Sequence, residues 1–155
     1  MSGWEQVPDR YRIKPSHGYQ RSGVARIRTV PEMRKIRSDR RLLGTWRSDR
    51  RRTLRDWKLD PERDTPEKRQ LLSDLFGHLT LRFTQQRIYS DFKGSHQVVK
   101  YDVIGADSSS VAVLAWCSLY EEERIQHIHF EDDRHYWIAL DGQREWFRRI
   151  KIRSR

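Results

Sequence analysis

The sequence predicts a mainly β fold, an antiparallel up-and-down barrel of about eight strands with one short helix after the first strand. Two observations carry this. From residue 78 onward, apolar side chains recur at every second position in short runs, the period of a half-buried strand. Between the runs lie Gln85-Gln86, Lys93-Gly94-Ser95, Gly105-Ala106-Asp107-Ser108, Glu121-Glu122-Glu123, Asp132-Asp133 and Asp141-Gly142, which are turn-forming groups. Connections this short make successive strands neighbours, and a twisted meander of about eight strands can pair its last strand with its first and leave no edge open.

Residues 1–40 combine Pro8, Pro15, Pro31, Gly3, Gly18 and Gly23 with many Arg and show neither hydrophobic period, so they read as a basic, flexible N-terminal extension; Met33 offers an alternative start. Residues 41–152 read as the barrel domain. LLGTWRS (42–48) is the first strand. Thr65 then precedes Pro66 and an apolar stripe of Leu71, Leu72, Leu75 and Phe76 that stops at Gly77, which predicts a capped helix with Pro at its first position. HLTLRFT (78–84) sets Leu79, Leu81 and Phe83 on one face. RIYSDF (87–92), QVVKYDVIG (97–105), SVAVLAWC (110–117), RIQHIHF (124–130), RHYWIAL (134–140) and EWFRRI (145–150) complete the set.

At 155 residues the chain fits one domain with a tail. Its formal charge of +10 is unevenly placed: residues 1–58 hold 17 Lys and Arg against 6 Asp and Glu, and residues 59–155 hold 15 against 16. The excess therefore belongs to the first part of the chain. Cys117 is the only cysteine, which rules out an intrachain disulfide; its apolar neighbours suggest a buried thiol, and its solitude a reducing, cytoplasmic location. No apolar run is long enough to span a membrane and no secretory leader is legible.

Gly44-Thr45-Trp46 on the first strand, with Arg148 or Arg149 on the last, resembles the lipocalins and the wider calycin group. The resemblance implies that Trp46 plugs one end of the barrel, that Gly44 lets the backbone bend there, and that an Arg packs over the indole. With Trp46 inward, Gly44 and Ser48 share its face. Arg148 alternates with the apolar Trp146 and Ile150 and is the preferred partner. A helical insertion after the first strand is closer to the intracellular fatty-acid-binding proteins, where it lids the open end.

RIQHIHFEDDRHYW (124–137) is the most chemically suggestive segment. His127 and His129 share a strand face, a spacing that can chelate a metal, position a base or simply be solvated. A two-residue turn at 132–133 sends His135 to the other face, whereas a three-residue loop at 132–134 brings all three together. No third ligand is fixed, so no metal or other cofactor is assigned. Turned inward, His127 and His129 would join Tyr89 and Tyr101 as polar contacts in an aromatic-rich, hollow barrel; a filled barrel is the alternative.

The reading that results is noncovalent binding of a small, mainly apolar molecule. The competing one is binding of nucleic acid or an anionic surface through Arg47, Arg50, Arg51, Arg52 and Arg55 around the first strand. A minor third is a barrel enzyme acting on a small apolar substrate, although no phosphate loop, GxSxG elbow, HExxH or CxxC is present and no catalytic residue is assigned.

Overall fold

A computed structural model of the chain describes residues 38–117, 121–140 and 142–152. Eight strands close into one antiparallel barrel in simple sequential order, with the last paired to the first. They are β1 (Gly44–Ser48), β2 (Leu79–Phe83), β3 (Arg87–Phe92), β4 (Ser95–Ala106), β5 (Ser110–Cys117), β6 (Glu122–Phe130), β7 (His135–Leu140) and β8 (Gln143–Ile150). The expected extension over residues 1–40, the Met33 start and the side chain of Cys117 lie wholly or almost wholly outside the described residues. Among those described, no helix is long and apolar enough to cross a membrane.

Turn chemistry sets the register. β3 and β4 meet at Phe92 opposite Ser95, and the two residues between them, Lys93 and Gly94, both adopt positive φ (50° and 85°), the geometry whose twist matches a two-residue hairpin. The β4–β5 ladder shifts between Val103 and Gly105, a bulge on a glycine. One seam is short. β6 and β7 are paired only at His129 with Trp137 and Phe130 with Tyr136, so the earlier part of β6 is laddered to β5 alone and Ile138–Leu140 to β8 alone.

Between β1 and β2 there are two α-helices where one was expected: α1 (Arg50–Asp56) and α2 (Pro66–Leu75), with a 3-10 turn at Pro61–Arg63. α2 starts as predicted, with the Thr65 hydroxyl accepting from the Lys68 amide and Pro66 in the first turn. α1 has no apolar period. It is held by Asp49, whose side chain accepts from the Arg52 amide, and by the buried Thr53, whose hydroxyl accepts from the Trp146 amide on β8 at 2.9 Å. This places α1 against the outer surface of β8. α2 packs on α1, through a segment in which Trp57 meets the buried Phe76 at 5.0 Å.

The core fills the end of the barrel away from the helices. Leu42, Trp46, Phe83, Tyr101, Val103, Val111, Val113, Ile128, Tyr136 and Phe147 form one buried cluster. Leu79, Leu81, Ile88, Ala115 and Ile138 pack against it but are only partly buried, although the ladders place them on the same inward face.

Candidate functional site: the barrel interior

The closed end is built as the Gly-x-Trp pattern implied, with one correction. Trp46 is fully buried and donates from Nε1 to the Leu42 carbonyl at 2.8 Å. Tyr136 meets its ring edge-on at 4.6 Å, and Phe130 lies 6.3 Å away. The guanidinium over the indole, 4.3 Å from the ring, belongs to Arg149 and not to Arg148. Arg149 also donates to the carbonyls of Leu43 (2.6 Å), Arg41 (2.6 Å) and Asp133 (2.9 Å), tying the chain before β1 to the β6–β7 loop.

Parity gives the reason. Trp46 is opposite Arg149, and Ser48 opposite Phe147, so Glu145, Phe147 and Arg149 point inward. Arg148 points outward beside Arg47. The apolar company that favoured Arg148 is covered from outside: Trp146 is buried beneath α1, donating to Asp56 at 2.8 Å with Arg52 5.1 Å above its ring. Gly44 is required twice over. Its φ is +123°, and a Cβ there would come within 2.9 Å of Arg149 Nη1.

Of the four residues expected to contact a ligand, one faces inward. Tyr101 is in the core, edge-on to Phe83 at 5.6 Å, with its hydroxyl donating to the Thr84 carbonyl. Burial and the negative charge of Asp39 hold its pKa above the ordinary tyrosine value. Tyr89 is opposite Arg82 on the outer face, with the guanidinium 4.1 Å over its ring.

His127 and His129 are also outside, because Ile128 and Phe130 take the inward positions. The hairpin uses the three-residue loop, with Glu131 donating to the His135 carbonyl, so His135 shares the outer face with them. His127 and His129 meet edge-on at 5.9 Å, and His135 is engaged elsewhere. His129 stacks on Trp137 at 4.1 Å, with Arg144 4.2 Å over the same Trp ring, whereas His135 pairs with Asp132 at 3.0 Å. Burial in that stack, then the neighbouring His127 and Arg144, hold the His129 pKa below the ordinary histidine value. Among the described residues no group of three or more His, Cys, Asp or Glu is placed to hold a metal.

The arginines near the first strand are divided. Arg50 donates to the Phe76 carbonyl and contacts His78, Arg52 pairs with Glu131, and Arg55 pairs with Asp56. Arg51 is exposed, and Arg47 is exposed with a donation to the Gly77 carbonyl.

The interior also holds polar groups that sequence reasoning missed. Glu145 is fully buried and accepts from the Ser48 hydroxyl at 3.0 Å; that hydroxyl in turn accepts from the Gly77 amide at 3.0 Å. Tyr136 stacks on Phe147 at 4.9 Å, and its buried hydroxyl has no hydrogen-bond partner among the described residues. Burial, and then the charge of Glu145, raise the Tyr136 pKa well above the ordinary tyrosine value. Parity carried the signal: Glu145 lies two residues from the inward Phe147, as Ser48 does from Trp46.

The arrangement is an antiparallel barrel consistent with a calycin-like fold, closed by an aromatic floor and an arginine, with a buried acid and phenol above the floor. No protein-family model, no curated protein and no solved structure matches the chain.

Proposed function

We propose that the barrel binds a small, mainly apolar molecule noncovalently, in the manner of a lipocalin-like carrier, within a domain spanning residues 41–152 and preceded by a basic extension. One observation carries the reading. Leu79, Leu81, Ala115 and Ile138 point inward yet are only partly buried, while the floor below them is fully packed. Inward side chains of a closed barrel meet solvent only where the interior is incompletely filled, and an apolar wall under such a gap suits an apolar guest. The single cysteine supports a cytoplasmic location.

Titration with N-phenyl-1-naphthylamine, an uncharged dye that brightens in apolar surroundings, tests this. Ala115 is small, inward and opposite Tyr101 on one side and Arg124 on the other. Ala115→Phe should fill the gap and abolish dye binding while the far-ultraviolet circular dichroism stays unchanged. Undiminished binding in that variant would count against an interior site.

A second reading is favoured by Arg47 and Arg148. They oppose each other across β1 and β8, and neither has a carboxylate partner among the described residues. Like charges held side by side favour an anionic partner such as a nucleic-acid backbone. Binding of a fluorescent oligonucleotide that weakens steeply with salt and is lost in Arg47→Glu/Arg148→Glu would support it; salt-independent binding would not.

A further inference from the structure

We infer that two copies of the chain pair through the outer face of β4, β5 and β6, centred on Trp116, about a twofold axis that runs along β5. The inference is independent of what the barrel interior holds.

The starting point is the sequence of β5. SVAVLAWC is apolar at almost every position, the pattern of a strand covered on both faces. In the barrel the core covers only one of them. Val111 and Val113 are buried, whereas Leu114 and Trp116 point outward and Trp116 is 49% exposed. Ile125, 60% exposed, is opposite Leu114 on the outer face of β6, and Val98, 51% exposed, is on the outer face of β4. These are three of the five large apolar side chains that are exposed among the described residues, and they gather on one side of the barrel. A single exposed apolar residue is ordinary, but a contiguous group on one sheet face is a contact surface.

The charges around the group choose its occupant. Arg87 is opposite Lys100, Tyr101 is opposite Ala115, which puts Lys100 beside Trp116, and Trp116 is opposite Glu123. Arg87, Lys100 and Glu123 are exposed, and none of them makes an ion pair among the described residues. The row therefore runs basic, aromatic, acidic across four strands. Turned over about an axis along β5, it meets a second copy with the order reversed, so that Trp116 packs on Trp116 while Lys100 faces Glu123 on both sides. An isologous contact requires this self-complementarity. Sheets packed face to face in this way lie about 10 Å apart, close enough for the rings to meet at the centre and the long charged side chains at the rim. Asp102, in the next row opposite Leu114, is partly buried and already engaged within its own chain, so it brings no free charge against Ile125. The exposed Glu121 and Glu123 at this end of the face disfavour a nucleic acid or an anionic lipid surface as the occupant.

Sedimentation equilibrium of the full chain, from micromolar to submillimolar concentration, tests this. The mass should rise from the 18.8 kDa of one chain toward twice that value. Trp116→Ser should raise the dissociation constant about thirtyfold or more, the loss usual for a tryptophan at the centre of an interface. Lys100→Glu and Glu123→Lys should each weaken the dimer about tenfold, and the two reversals together should return it to near the parent value. All three side chains are outward, so circular dichroism should be unchanged; if Trp116→Ser fails to fold, the charge reversals still decide. A mass that stays at that of one chain, or a dimer indifferent to Trp116→Ser, would overturn the inference. A dimer weakened by each single reversal but not restored by the pair would overturn the twofold arrangement along β5.

Discussion

Replacing Arg149 by Met should cost the protein about 3 kcal/mol, a figure assembled from about 1 kcal/mol for each of three hydrogen bonds and about 1 kcal/mol for the cation–π contact, less about 1 for carbonyls that regain water. The three acceptors are the carbonyls of Arg41, Leu43 and Asp133, and the ring is that of the fully buried Trp46. Those of Arg41 and Leu43 are part-buried, whereas Asp133 is exposed and its carbonyl is the one most readily rehydrated. Met retains the apolar stem, so little of the loss comes from an empty volume. Lys at 149 keeps the charge near the ring, but a single ammonium cannot serve three separated carbonyls, and it should restore about 1 kcal/mol. Urea unfolding followed by circular dichroism is the assay. With a slope of about 1.5 kcal/mol/M, the Met variant should lower the midpoint by about 2 M. The control is Arg148→Met, which alters an exposed side chain and should stay within about 0.5 kcal/mol of the parent. Equal midpoints for the two variants would refute the assignment of Arg149 as the residue that closes the barrel.

Gly44→Ala places a side chain at φ +123° and 2.9 Å from Arg149 Nη1, and should destabilise by about 2–3 kcal/mol, whereas Gly94→Ala, at φ +85° with open space around it, should cost only about 1; thermal melts of the two variants measure the difference. The Asp107 carboxylate accepts from the amides and hydroxyls of Ser109 and Ser110, which lower its pKa to about 2. Because the folded value is depressed, its contribution is complete above the unfolded value near 3.8 and is lost as pH falls through about 2. Carbon-13 NMR of the carboxyl should find that midpoint, and a midpoint near 3.8 would show that the turn is not formed. For His129 the depressed value means that the stack favours the neutral ring, so its contribution holds above 6.5 and is lost as pH falls through the folded value. Proton NMR should place the midpoint below 6.5 and raise it in Arg144→Gln.

Most of the fold was legible because the strands are bounded by turn chemistry and alternate cleanly. The segments 87–92 and 110–117 coincide with β3 and β5, and the other strands differ at their ends by a few residues at most. α1 was not legible, since RRRTLRD carries no apolar period; its stability comes from the Asp49 cap and from Thr53 on β8, a contact across ninety-three positions that no local pattern encodes. The site was read less well, for a related reason. In RIYSDF both Ile88 and Tyr89 suit an interior, and only the ladder to β2, where Ile88 meets Phe83, decides between them. Arg148 was preferred over Arg149 on the assumption that apolar neighbours mark the inward face, which fails where a helix buries the outer one at Trp146. Glu145 was overlooked because a carboxylate in an alternating strand ordinarily points to water.

The short β6–β7 ladder makes the barrel a curled sheet fastened along most of its height and clasped at one end of its last join. Two paired positions and the hairpin hold that clasp near the aromatic floor, while farther along, toward the helices, β6 and β7 are tethered only by their other neighbours. Separating them there breaks no ladder bond between the two strands. Gln126 and Ile138 flank that slit from the inward face. The wall can therefore widen there without the loss of a hydrogen bond between β6 and β7.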